Sequence, residues 1–214
     1  MSNFFSLESF EAFSFGHIAI LGIFLAITIG IGFLGNRFKN NHKTTILITK
    51  ILIGITIFQE IFDYLNRYLN GTIYLWQDLP LHICNYVLFI SVIALYNRNE
   101  YLFNFCYFNA FSAALLANLT PDLNGVTGDI GVFFFFLHHF LIIINVVWMI
   151  VAFDMKPSIK GVFSTVILLN VFAVPIGLIN ILIYKLGFGF ANYMYLRQPP
   201  DVNNPLLIGE GGRY

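Results

Sequence analysis

The chain has 214 residues, of which 58% are hydrophobic, 18% aromatic and only 10% charged, with a mean hydropathy of +0.77. Soluble domains carry about 25% charged residues, so this composition excludes a water-soluble globule and points to a membrane protein. Eleven basic and eleven acidic residues cancel, and with no basic patch, nucleic acid is excluded as a partner.

The chain opens on "MSNFFSLESFEAF", which is aromatic and acidic. It lacks the positive n-region and small-residue cleavage site of a secretory signal and is read as part of the mature protein. Six apolar stretches follow, each long enough to cross about 30 Å of hydrocarbon. They cover 17–34, 45–65, 79–96, 101–119, 132–153 and 161–184. Their runs show no period-two alternation, which predicts helices rather than barrel strands. Short connections make this an all-α polytopic transmembrane helical bundle in a single domain over 1–214. Asn145, Asn170 and Asn180 are expected to be interhelical hydrogen-bonding groups, and Pro175 a kink in the sixth helix. Trp76 and the tyrosines near helix ends read as interface anchors.

Lys and Arg set the orientation. The first, third and fifth connections carry Arg37, Lys39, Lys43, Arg98, Lys156 and Lys160. The fourth carries Asp122 and Asp129 with no base, and the N-terminal arm carries Glu8 and Glu11. The odd connections are therefore expected in the cytoplasm and the N-terminus outside, in the cell membrane. This topology gathers nearly all the reactive side chains at the outer end: Gln59, Glu60 and Asp63; His82, Cys84 and Asn85; Asn118 and Asp122; His138 and His139. The other end holds little beyond solvating Lys, Arg and Asn.

Each of these has a plainer alternative. Cys84 is either a small buried hydrophobe, as most free cysteines are, or a thiol near a helix N-terminus whose base comes from another helix. With the third helix starting near Leu79 and Pro80 in its first turn, Cys84 lies about 7–8 Å in, and His139 about 10 Å in. At 100° per residue His82 and Cys84 diverge by about 160°, so they are not expected to share one narrow pocket. His139 or His138 is then the candidate base. Neighbours on a helix point apart, so one of the two faces the site, and ionisable groups inside an apolar helix usually serve function. Asp63 reads as an exposed interfacial acid, and Glu60 as a deeper group able to fix the tautomer of His139 or His82. Asp122 in "TPDLNG" reads first as part of a helix-ending turn. A disulfide between Cys84 and Cys106 requires their helices to meet. Three histidines with the acids raise zinc as a possibility, but HExxH, HxxxH and CxxC are all missing. No GxxxxGK[ST], GxGxxG or GxSxG occurs either, so no metal or other cofactor is expected.

The order of "QE" late in the second helix, "LPLHIC" into the third, "LTPDL" after the fourth, a His in "FFLHHF" and "NYMYLR" after the sixth carries a likeness. From about Gln59 to Leu207 the chain resembles the YwaF-like bacterial integral membrane proteins, similar to the animal transmembrane-protein-164 family of acyltransferases. That resemblance implies thiol-dependent movement of fatty acyl chains between phospholipids, giving ether-linked phosphatidylethanolamines. It implies Cys84 as nucleophile and His139 as its partner. Two positions depart from the family pattern. Phe140 stands where a small residue follows the His, and the pattern continues into a seventh helix where this chain stops at "LLIGEGGRY". Six helices leave both termini outside, and loss of a seventh would leave the bundle open along one face.

The expected function is a membrane-embedded phospholipid acyltransferase with an outward-facing cavity, its partners being a phospholipid and a lysophospholipid in the bilayer. Cys84 and His139 are the catalytic pair. His82 and Asn85 orient the headgroup or the oxyanion, with Glu60, Asp122 and His138 completing the substrate site. Two alternatives stand beside it: a transporter- or receptor-like bundle with a polar ligand site, and a zinc-dependent intramembrane lipid hydrolase.

Overall fold

In a computed structural model, which describes residues 5–200, the six apolar stretches form six helices. They are α1 (Phe15–Phe38), α2 (His42–Leu69), α3 (Ile83–Asn97), α4 (Glu100–Leu119), α5 (Gly128–Phe153) and α6 (Ile159–Lys185). Five are long and apolar enough to cross a membrane, and α3 is a shorter apolar helix. Among the described residues there is no strand.

Local chemistry sets the ends. Ser14, Asn41, Asn99 and Ser158 each precede a helix and accept its first free N–H groups with a side-chain oxygen, which satisfies donors that a helix cannot pair internally. At the other ends, Arg98 and Asp154 take left-handed φ of 55° and 54°, closing α3 and α5 so that the chain can turn at once. These tight turns put Arg98 over Phe153, 4.3 Å from the ring centroid. Arg37, Lys39, Arg98 and Lys156 thus collect at one end of the bundle. The long 70–82 and 120–127 connections lie at the other.

α5 is the central helix and packs against α1, α2, α3 and α4. Its polar groups are matched across the interfaces. Asn145 Nδ2 donates to Thr56 Oγ1 at 3.1 Å and Ser91 Oγ at 3.0 Å, and Trp148 Nε1 donates to Thr49 Oγ1 at 2.9 Å. Lipid offers no competing partners, so such bonds fix register where apolar contact alone does not. Asn180 pairs with the backbone of Tyr193. Asn170, expected to bridge helices, instead donates to Val166 O in its own helix, because it lies on an exposed face of α6.

Two departures bear on the site. The third helix starts at Ile83 and not near Leu79. Leu79 precedes a proline, which disfavours helical backbone, and its N–H is taken by Tyr193 Oη at 2.9 Å. Pro80 therefore lies in an irregular stretch before His82, the N-cap. The second departure is a π-turn at Ala110–Ala114 inside α4, a feature common at functional sites. The stretch "LLIGEGGRY", where the family pattern would continue into a seventh helix, lies outside the described residues.

Candidate functional site

α3 has 15 residues, about 22 Å at 1.5 Å per residue and so too short for the hydrocarbon layer. Its height is fixed by Cys106, whose Sγ donates to Val87 O at 3.6 Å. Cys106 lies about 9 Å along α4, and Val87 about 6 Å from the start of α3. The start of α3 is therefore about 15 Å up α4, near its middle. Cys84 sits at that depth, well below the 7–8 Å that a helix beginning at Leu79 would give. His139, eleven residues into α5, is about 16 Å in. The polar head of α3 is thus sunk into the membrane span, and the 78–82 stretch leads down to it.

Above this head lies a cavity of about 1040 Å³, the size of a site for a substantial ligand. Cys84, His82, Asn85, Glu60, Asp122, His138 and His139 all line it. His82 and Cys84 share it despite their helical separation because His82 is outside the helix, in extended backbone with φ −73° and ψ 149°. Both histidines of α5 line it as well, because the cavity is wide and spans more than one helical face. Cys84 and Cys106 are both free thiols, and only Cys84 reaches the cavity.

The carboxylate of Glu60 bonds His138, where His139 or His82 was expected. Its Oε1 accepts from His138 Nδ1 and from Gln59 Nε2, both at 2.6 Å. His139 Nδ1 lies 2.7 Å from Phe135 O. A carbonyl only accepts, so that nitrogen carries the proton, and neutral His139 keeps its lone pair on Nε2. His17 is different. Its Nδ1 accepts from Phe13 N and its Nε2 donates to Asn118 O at 2.8 Å, so both nitrogens are used in tying α1 to the end of α4.

The loops that roof the cavity are cross-braced, and Arg67, Asp78 and Tyr193 in this brace are residues the sequence did not single out. Arg67 donates to Asp63 at 2.9 Å and Asp78 at 2.6 Å, and to Gly125 O. Asp63 is therefore a partner in this brace and not a free interfacial acid. Tyr193 is fully buried. Its hydroxyl donates to Leu75 O and accepts from Leu79 N, and burial pushes the phenol up to about 12. Tyr195 donates to Asp122 Oδ2 at 2.8 Å; burial first, then the Asp122 charge, raises its phenol above the usual range. Tyr193, fully buried, is no interface anchor. Asp122 has a double duty, since its Oδ1 also accepts from Asn124 N to form the expected turn. Met194 and Tyr195 hold left-handed φ of 57° and 52°, unusual for residues other than glycine. This strain turns both onto the cavity, with the His82 ring 5.2 Å and 5.7 Å from those of Tyr193 and Tyr195. "NYMYLR" was visible as a motif, but nothing in it signals left-handed backbone.

Among the described residues, no three His, Cys, Asp or Glu side chains converge as metal ligands. The helices, the sunken α3 head and the closing tyrosines together cover most of the chain, and a family model, the TMEM164 family, matches residues 12–214. The chain belongs to the TMEM164 family. No curated protein and no solved structure matches it. Family and apolar helices together make it an integral membrane protein, and the cavity described above is the candidate site of this TMEM164-family bundle.

Proposed function

We propose that the protein is a phospholipid acyltransferase that works through an acyl-thioester on Cys84. The observation that carries this reading is the meeting of a free thiol and two histidines in one cavity at membrane depth. The likeness to the animal transmembrane-protein-164 acyltransferases supports the same pair, Cys84 and His139.

His139 Nε2 takes the thiol proton as sulfur attacks the ester carbonyl of a phospholipid. The S–C bond forms, the ester C–O bond breaks, and His139 returns the proton to the departing lysophospholipid oxygen. In the second half, the hydroxyl of a lysolipid acceptor attacks the thioester and gives its proton to His139. The S–C bond breaks, and the same proton restores the thiol. His82 and Asn85 serve the headgroup or the developing oxyanion. Glu60 holds His138 against the cavity wall, and Asp122 holds Tyr195. The cationic far end supports a cavity on the outer side of the cell membrane, with the N-terminus outside.

The test is lipid turnover by purified protein in nanodiscs containing a labelled diacyl lipid and a lysolipid acceptor. Cys84→Ala and Cys84→Ser are expected to abolish transfer; intact transfer in both sinks the thioester. A second reading rests on the Glu60–His138 contact, a buried acid–imidazole pair of the kind that binds polar ligands or moves protons in membrane carriers. Such a function survives Cys84→Ala and fails in Glu60→Gln, which separates the two.

A further inference from the structure

The cavity has two unlike walls. One is polar, with Glu60 and Asp63 from α2, His82 before α3, and His138 and His139 from α5. The other is mostly apolar, with Phe111, Leu115 and Leu116 from the second half of α4 and Leu169 and Ala173 from α6.

The apolar wall is parted. α6 packs along the Glu100–Asn109 half of α4, where Asn104 fills the space beside Gly161 that a Cβ would need. Past the π-turn the close packing of α6 on α4 ends. Phe111 is 43% exposed and Leu115 38%, and Ser112 and Asn170 are exposed too, although all four line the cavity. Cavity surface alone does not account for this, since the inner groups Glu60 and His139 expose only 8% and 9%. These residues stand at an edge between cavity and bilayer. The two polar ones among them bond within their own helices: Ser112 Oγ donates to Phe108 O at 2.6 Å and Asn170 Nδ2 to Val166 O at 2.8 Å. Ser112 therefore presents no dangling donor to hydrocarbon, where one is costly, and Asn170 has one of its two amide N–H groups paired within its own helix.

We infer that the gap between the second half of α4 and α6 is a lateral portal, through which an acyl chain of a membrane lipid enters the cavity with its polar end toward the α2 and α5 wall. The gap opens at hydrocarbon depth, so the chain passes from bilayer to cavity without meeting water. An amphiphile then lies across the site with its head among the acids and histidines. The portal supplies the substrate route of the activity proposed above and rests on that reading for what happens once the lipid arrives.

The route is tested separately from the chemistry by covalently modifying the Cys84 thiol in nanodiscs and reading the modified peptide by mass spectrometry. One probe is a long-chain N-alkyl maleimide confined to the bilayer; the other is a small charged methanethiosulfonate added from water. Wild type is expected to react with both. Ala173→Trp, on one lip, slows the lipophilic probe by about tenfold or more while the aqueous probe stays within about twofold, the size of effect that a steric block in an apolar pocket gives. Ser112→Trp, on the other lip, gives the same split. Val174→Trp, 68% exposed and outside the cavity lining, changes neither rate. The portal is overturned if neither lip variant separates the two rates, or if the lipophilic probe fails to reach Cys84 in wild type. A clear split together with acyl transfer that persists in Cys84→Ala would sink the thioester and leave the portal standing.

Discussion

α5 and α6 are alike in sequence and opposite in role. They have 26 and 27 residues and are almost wholly apolar. Yet α5 buries every residue from His139 to Val146, whereas α6 buries only Gly161, Thr165, Ile176, Asn180 and Ile183 along its whole length. Hydrocarbon burial does not distinguish them, because lipid tails are as apolar as leucine. The distinction comes from hydrogen bonds and close approach. α5 reaches Glu60, Thr56, Thr49 and Ser91 on two other helices. α6 makes its close polar contacts near its ends, by Gly161 against Asn104 and by Asn180 against Tyr193, and at mid-length it is held by Phe172 stacked on Tyr86. A core helix fixes the histidines, and a rim helix leaves room for the portal beside them.

The largest break in this comparison is expected at Trp148. It is fully buried, and its indole N–H is bonded to Thr49. Trp148→Ala opens a cavity in the central helix and removes the α2 bond, and is expected to cost on the order of 3 kcal/mol. Thermal unfolding in detergent micelles measures it. A loss below about 1 kcal/mol would mean that α5 is no more central than its neighbours.

Next in size is Tyr193→Phe, at the far anchor of α6. It leaves the ring in place but strips Leu79 N–H and Leu75 O of a partner, with an expected cost of about 1–2 kcal/mol. The same hydroxyl has a pH signature. Its folded value, about 12, lies above the ordinary value of 10. The proton is held more tightly in the folded state, so this stabilisation is complete below pH 10 and is lost as pH rises through 12. Wild type is expected to lose more stability than Tyr193→Phe between those limits, and parallel curves would remove Tyr193 from the anchor.

Six helices were legible in the amino-acid sequence because each is a long apolar run, and all six begin within four residues of where hydropathy places them. The third was misplaced because Leu79 and Leu81 are as apolar as a helix interior. The late start has one local cause, Pro80 after Leu79, and one that no local window contains, the bond from Leu79 N–H to a tyrosine 114 residues further on. The site residues were legible as a set, since polar groups in an apolar chain stand out. Their pairings were not. Glu60 bonds His138 rather than His139 because of how α2 meets α5, and azimuth along one helix cannot say which neighbour it faces. The π-turn lies in "AFSAA", four small residues and Phe111, which tolerate it without announcing it. Met194 and Tyr195 adopt left-handed backbone with no glycine or asparagine at either position.

The smallest expected effect is also the sharpest control on the comparison. Phe163→Ala deletes an aromatic side chain from α6 that faces outward, where lipid replaces every contact it loses. No hydrogen bond of the α4–α6 junction involves it, since Asn104 bonds Ser158 instead. The cost is expected within about 0.5 kcal/mol, a small fraction of that for Trp148→Ala, measured in the same micelles and read alongside elution volume. A loss comparable to the Trp148 variant would mean that α6 is packed against something on that side. The rim position of α6, and with it the room for a portal beside α4, would then have to be given up.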